Sequence, residues 1–380
     1  MGAIDLTSSD YWESSEIDLR LNPRRDFDVE GLVPFLKEDL RVEETVVMST
    51  SGSTGEPKFV LLPKKALLAS AKGVAAHLAL TSEDSWLAGL ADFHVGGFGI
   101  YARAYDTGAK VFEFEALPWS REGTPFVQAL EDTGARWTSL TPTHLHDLVV
   151  SSRRAPATLR GLLLGGGRID AELVNDAIEL GWPVRASYGM TEACSQIATG
   201  EPGEPQSLPI LEAWETRLNE SGLLQIRGEP LFRGYVRKEE GQWIHDPAVD
   251  AEGWFTTGDR VELEHGNLRH LGRADDLVKI LGELVSLSGV EDRLNGLVRS
   301  SGAEVVVLAL PESRKGNSLH AVIETPREAS EFEKLFESTV PGLERPEQVV
   351  TCIELPRTAI GKVDRHALRR ALTDSSPEPL

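Results

Sequence analysis

The chain has 380 residues, 41% of them hydrophobic, which is enough apolar material to fill the cores of two or three domains. Its 39 basic against 60 acidic side chains leave a net charge of −21, which argues against general affinity for nucleic acid or an anionic membrane. Cys194 and Cys352 stand far apart with no CxxC pair, so neither a disulfide framework nor a zinc site is indicated and a reducing cytoplasm is the simpler expectation.

The first twenty residues are acidic and lack the apolar stretch of a signal peptide. Apolar runs such as Val305–Leu310 are too short to span a bilayer, so no membrane insertion is expected. Residues 1–44 read as an irregular lead-in with one helix near Val33–Leu40. From there strands are expected at Thr45–Met48, Phe59–Leu62, Ser85–Ala88, Lys110–Phe114, Trp137–Leu140, Gly161–Leu164 and Val184–Ser187. Amphipathic stretches at Ala66–Ala79, Phe126–Thr133, Thr143–Val150 and Ala171–Leu180 alternate with them, which predicts an α/β sheet covered by helices.

After about Pro202 the texture becomes β-rich, with short strands at Leu223–Arg227, Gln242–His245, Arg260–Glu264 and Asn267–His270 and a hairpin signal at Gly266-Asn267. From Asp275 a strand, a helix (Gly289–Leu297), two strands (Glu304–Leu310, Leu319–Thr325), a helix (Glu328–Ser338) and a last strand (Val349–Glu354) predict a small α+β module. The expected architecture is therefore a large N-terminal α/β domain with a β-rich subdomain over residues 1–273, and a small mobile α+β domain over 274–380.

The strongest local signal is Thr50-Ser51-Gly52-Ser53-Thr54-Gly55-Glu56-Pro57-Lys58. Small residues between two strands can turn their N–H groups inward as an anion-binding nest, with hydroxyls and Lys58 adding donors. The glycine-to-lysine spacing and the following strand separate it from a Walker A loop. On its own it could equally be a flexible hairpin. Ser187-Tyr188-Gly189-Met190-Thr191-Glu192 supplies an aromatic face for a base, a hydroxyl for phosphate and a carboxylate for Mg²⁺, which binds through one or two carboxylates plus substrate phosphates. A helix N-cap with an acidic first turn would look the same.

These segments resemble the motifs of the adenylate-forming superfamily of acyl-CoA synthetases, luciferases and peptide-synthetase adenylation domains, in family order from about residue 45 to 372. The resemblance makes residues 50–58 the ATP phosphate loop. It places Phe93-His94-Val95-Gly96-Gly97 beside the carboxylate, with His94 among the catalytic and substrate contacts. Gly165, Gly166 and Gly167 are implied to lie along the adenine and acyl groups, with Tyr188 and Gly189 at the base, Thr191 at phosphate and Glu192 on Mg²⁺. Asp259 of the Thr257-Gly258-Asp259 motif and Arg273 are implied ribose contacts, and Asp275 the hinge. Lys362, in Pro356–Arg365, is implied as the adenylation lysine, an ammonium that offsets charge on the attacking carboxylate and α-phosphate. Ile280-Leu281-Gly282-Glu283 departs from the family's Ser-Gly-Gly-Glu run, Leu281 replacing a glycine.

The continuation Ser195-Gln196 and the Leu164–Gly167 and Thr141-Pro142-Thr143 segments resemble short bacterial o-succinylbenzoate–CoA ligases, which share a phosphate loop this near the start, where much of the usual N-terminal region is absent. That resemblance implies 2-succinylbenzoate, ATP and CoA as substrates, with Phe98, His94, Thr143, Ser195 and Gln196 as candidate acid contacts. A synthetase for another aryl or medium-chain acid, an enzyme loading a carrier protein, and a non-catalytic ATP-binding protein stay open, as does a homo-oligomer.

Overall fold

The computed structural model describes residues 4–51, 57–115, 119–358 and 363–373, with the side chains of Ser51, Pro57, Asp275 and Ser300 set aside. The chain divides into two compact units. One holds the described residues up to Thr257 and Val261–His270; the other holds Gly258–Arg260, Leu271–Thr358 and the described residues from Val363 onward.

The first unit is built on a six-stranded sheet in the order Lys110–Phe112, Ser85–Leu87, Trp137–Leu140, Gly161–Leu164, Val184–Met190, Ser195–Thr199. The first five strands are parallel and the last is antiparallel. Stretches such as Gly161–Leu164 are buried at every position because helices cover both faces. Trp86, Trp137, Leu163 and Ala186 face helices Lys64–Leu78 and Val95–Thr107. Leu87, Leu140, Leu162 and Val184 face helices Thr124–Thr133, Pro142–Val150 and Ala171–Glu179. Helix Val95–Thr107 was not announced by its sequence, because Gly96, Gly97 and Gly99 are poor helix formers. Packing dictates them: a methyl group on Gly97 would lie 2.2 Å from the Ala91 carbonyl oxygen.

A second sheet runs Ile17–Arg20, Thr45–Ser51, Pro57–Pro63, Gly234–Glu239, Gln242–Asp246. The lead-in is thus less irregular than expected, since Ile17–Arg20 pairs in parallel with Thr45–Ser51. The helix expected at Val33–Leu40 is a short turn, Leu32–Pro34, continued by a π-helical turn, Phe35–Asp39. Lys64, 2% exposed, fastens the lead-in by donating to the carbonyls of Tyr11 and Ser14 and to the Ser14 hydroxyl. The β-rich region is a third sheet, ordered Leu208–Pro209, Asn267–Arg273, Phe255–Glu264, Leu223–Gly228, Trp214–Leu218. Its hairpin turns on His265 and Gly266, both at positive φ, so Asn267 begins a strand and the turn lies one residue earlier than the sequence signal.

In the second unit Gly316–Glu324 lies between Glu304–Glu312, antiparallel to it, and Gln348–Cys352, parallel to it. Helices Leu287–Val298 and Ala329–Thr339 cover one face through Val290, Leu294, Phe332 and Phe336. Leu368 of helix Arg365–Thr373 covers the other with Cys352 and Leu355. A separate hairpin, Leu277–Ile280 with Glu283–Ser286, turns on Leu281 and Gly282, at φ +52° and +90°. Among the described residues no helix is long and apolar enough to cross a membrane.

Candidate active site

In a parallel sheet covered on both faces, ligands bind where the strands end at their carboxyl edge. The register sets Leu140 beside Leu164 and Leu164 beside Ala186, so the strands Trp137–Leu140 and Gly161–Leu164 end level while Val184–Met190 runs four residues further. From that edge emerge the segments the sequence singled out. His94 follows strand Ser85–Leu87 and is the half-buried N-cap of helix Val95–Thr107, its ring 4.7 Å from that of Phe93. Thr143 follows Trp137–Leu140 and is half-buried in the first turn of helix Pro142–Val150. Gly165, Gly166 and Gly167 follow Gly161–Leu164. A methyl group on Gly165 would meet the Ser187 hydroxyl at 2.6 Å, and Gly166 has φ +77°.

The fifth strand carries Tyr188 and Gly189 at its end. Tyr188 is half-buried, with its ring 5.5 Å from that of His270. Gly189 sits at a bulge against Ser195, where a methyl group would come within 1.8 Å of the Ser195 carbonyl oxygen. Thr191 and Glu192 then form a single 3-10 turn, Thr191–Ala193, and the chain reverses through Cys194 at φ +51° and Ser195 at φ +138°. The Tyr235 hydroxyl donates to Glu192 Oε1 at 2.7 Å. Ser195 and Gln196 are buried, and the Gln196 side chain accepts from the Thr199 hydroxyl.

Phe98 is fully buried, packed on Trp12 at 5.7 Å and Tyr11 at 6.3 Å. Thr50 and Lys58 stand opposite each other in the hairpin register, and the Lys58 ammonium lies 5.4 Å from the Tyr235 ring centre. Gly52, Ser53, Thr54 and Gly55, as well as Lys362, lie outside the described residues.

Sequence reasoning missed Arg103. It is 1% exposed, with its guanidinium 4.7 Å above the ring of Trp86, and its Nε has no hydrogen-bond partner among the described residues. Burial pushes its pKa down, to about 9, with no described carboxylate offsetting the effect. The group stays charged at neutral pH. Its Nη1 and the Ser195 hydroxyl border the same point, since a methyl group on Gly99 would meet them at 3.0 and 3.4 Å. The Ser139 hydroxyl is also buried without a described partner. An unpaired buried cation is costly unless a ligand brings the opposite charge. The available signal was a lone arginine inside Gly97–Ala104, otherwise small and apolar.

Metal binding is tested by the donor set. Among the described residues no group of three or more His, Cys, Asp or Glu could hold an ion. A single carboxylate, Glu192, suits Mg²⁺ that takes its remaining oxygens from phosphate and water. In the second unit Arg273 Nη1 lies 3.3 Å from Oδ1 of Asp259, which is 4% exposed. Gly258, at φ +77°, lets the chain turn beside that guanidinium. Asp275 lies in the 3-10 turn Ala274–Asp276. On either side of residues 359–362, Arg357 pairs with Glu304 and Glu324, and Arg365 Nη2 lies 2.6 Å from both carboxylate oxygens of Glu291. Burial raises the Glu291 pKa, and the facing Arg365 lowers it in part.

A family profile described as "AMP-binding enzyme" matches residues 36–236. The 2-succinylbenzoate–CoA ligase of Salmonella typhimurium is 34% identical over 327 residues, 84% of this chain and 67% of that protein. The o-succinylbenzoate CoA synthetase of Bacillus subtilis in complex with the acyl-adenylate intermediate matches with a TM-score of 0.72 at 28% identity, over 88% of this chain and 70% of that one. The same synthetase in complex with ATP and magnesium ion matches with a TM-score of 0.71 at 28% identity, over 85% and 69%.

Proposed function

This chain belongs to the AMP-binding enzyme family, and from that premise we propose that it joins 2-succinylbenzoate to CoA at the expense of ATP, through an acyl-adenylate, releasing AMP and diphosphate as a step of menaquinone biosynthesis. The observation that carries the reading is the convergence of His94, Thr143, Gly165–Gly167 and Tyr188–Glu192 on the carboxyl ends of four neighbouring parallel strands. Arg103 supports the choice of acid. It is a buried cation beside Trp86, and 2-succinylbenzoate carries a second carboxylate that never reacts. We place the reaction in the cytoplasm, in keeping with two free thiols, Cys194 and Cys352.

The carboxylate is ionised at neutral pH and needs no base. One of its oxygens attacks the α-phosphorus, the bond to the bridging oxygen breaks, and diphosphate leaves. The chain's task is positioning and charge stabilisation. Thr50–Lys58 holds the departing phosphates, Tyr188 and the glycines 165–167 take the adenine, and Asp259 with Arg273 takes the ribose. Lys362 offsets charge between carboxylate and α-phosphate, and Glu192 holds the metal ion. A bound Mg²⁺ supplies bridging and neutralisation of phosphate oxygens. The thiol sulfur then attacks the acyl carbon, its proton passes to solvent, and AMP leaves.

The test is diphosphate release across 2-succinylbenzoate, benzoate and medium-chain acids, with and without CoA. Release with 2-succinylbenzoate alone, and its CoA thioester only when CoA is present, is expected. Release only with the simple acids overturns the substrate, and no release with any acid overturns the enzyme reading.

A further inference from the structure

Glu192 stands on a short turn, and a carboxylate there has free rotamers unless something holds it. The Tyr235 hydroxyl does so, donating to Oε1 at 2.7 Å. Tyr235 itself has little freedom. Its strand, Gly234–Glu239, lies between two others, with Tyr235 opposite Val60 on one side and Asp246 on the other. Its ring packs on Phe232 at 4.8 Å, and Phe232 in turn rests on Phe255 at 5.0 Å. The Phe232 amide, just ahead of this strand, donates to the Glu192 carbonyl at 2.9 Å, so the Glu192 backbone is held by the segment leading into the strand and its side chain by the strand itself. The same ring meets Lys58, whose ammonium lies over it at 5.4 Å from the ring centre.

We propose that Tyr235 is a positioning residue that orients Glu192 for the metal ion and, through its ring, sets Lys58 in register with that carboxylate. The proposal rests on the reading of Glu192 as the metal ligand. Carboxylate ligands are held by outer hydrogen bonds, and losing one costs roughly 10- to 100-fold in metal affinity. The ring contact with a cation is a separate attraction, so hydroxyl and ring are separable by mutation.

The experiment is Mn²⁺ binding to the full chain in the presence of a non-hydrolysable ATP analogue, followed by electron paramagnetic resonance, for wild type, Tyr235→Phe, Tyr235→Leu and Glu192→Gln. Tyr235→Phe keeps the ring and its packing, so its melting temperature should match wild type while the Mn²⁺ dissociation constant rises roughly tenfold. Conversion of synthetic acyl-adenylate and CoA to thioester, which needs no metal, should be unchanged. Tyr235→Leu should in addition weaken the ATP analogue, since Lys58 loses its ring. Unchanged Mn²⁺ affinity in Tyr235→Phe, with Glu192→Gln impaired, overturns the proposal and leaves the reading of Glu192 standing. Unchanged affinity in Glu192→Gln overturns that reading itself.

Discussion

Arg103 lies face-on to Trp86, its guanidinium carbon 4.7 Å from the ring centre, and that indole is the partner the structure gives it. A π-face offsets only part of what a cation loses on leaving water. The residue should therefore act in opposite directions on the free and the liganded protein. Arg103→Met should leave the unliganded chain as stable or more stable, by up to about 4 kcal/mol. It should weaken 2-succinylbenzoate by roughly 30-fold or more, the usual consequence of truncating a buried charge partner. Benzoate, with one carboxylate, should hardly notice. Melting curves and acid KM values check both signs; equal loss for both acids would remove Arg103 from the role.

Glycine content alone does not mark the critical glycines. Gly189→Ala must push a methyl group against the Ser195 carbonyl, and Gly97→Ala against that of Ala91. Each should lose more than about 3 kcal/mol of stability, or all adenylation, through strain in packed backbone. Gly296, exposed in helix Leu287–Val298, has nothing within 4 Å, so Gly296→Ala should stabilise by about 0.5–1 kcal/mol. Urea unfolding of the three variants separates the cases.

Leu281 sits in the left-handed region, at φ +52°, and is 58% exposed. Its side chain gains little from burial and its backbone is strained. Leu281→Gly should stabilise the chain by about 1 kcal/mol, visible as a higher melting temperature. A lower one would count against the two-residue turn.

Arg365 Nη2 reaches both carboxylate oxygens of Glu291 while Nη1 donates to the Val307 carbonyl at 2.8 Å. A single lysine ammonium cannot hold both partners with the geometry of two fixed nitrogens. Arg365→Lys should cost about 2 kcal/mol, and should slow adenylation more than thioester formation from synthetic acyl-adenylate, because the contacts flank the segment with Lys362. Equal slowing of the two half-reactions would argue that Arg365 serves the fold alone.

Much of the architecture was legible because burial imposes pattern. The stretches Trp137–Leu140 and Gly161–Leu164 read as strands, and the structure gives them those bounds, buried at every position. What escaped was set by distant partners. Ile17–Arg20 carries alternating charges and is a strand because Thr45–Ser51 offers an edge. Gly97 of helix Val95–Thr107 serves close approach to Ala91, which no local propensity encodes. In the site, small-residue motifs were readable because backbone proximity to a ligand demands glycine. Arg103 and Tyr235 were not, since an arginine in a helix and a tyrosine in a strand become informative only when their neighbours are known.

The pairing of Pro57–Pro63 with Gly234–Glu239 has a consequence for biosynthesis. The hairpin that carries Thr50 and Lys58 leaves the ribosome before its partner strand, and one of its edges stays bare until the chain has grown past Glu239. Until then Phe59 and Leu61, buried in the finished protein, lack Val236 as a neighbour. Nascent chains stalled short of that point present an apolar strand with an open edge, the kind of surface that chaperones hold and that aggregates recruit. The sheet that carries Thr50 and Lys58 is thus completed only after Gly234–Glu239 has been made.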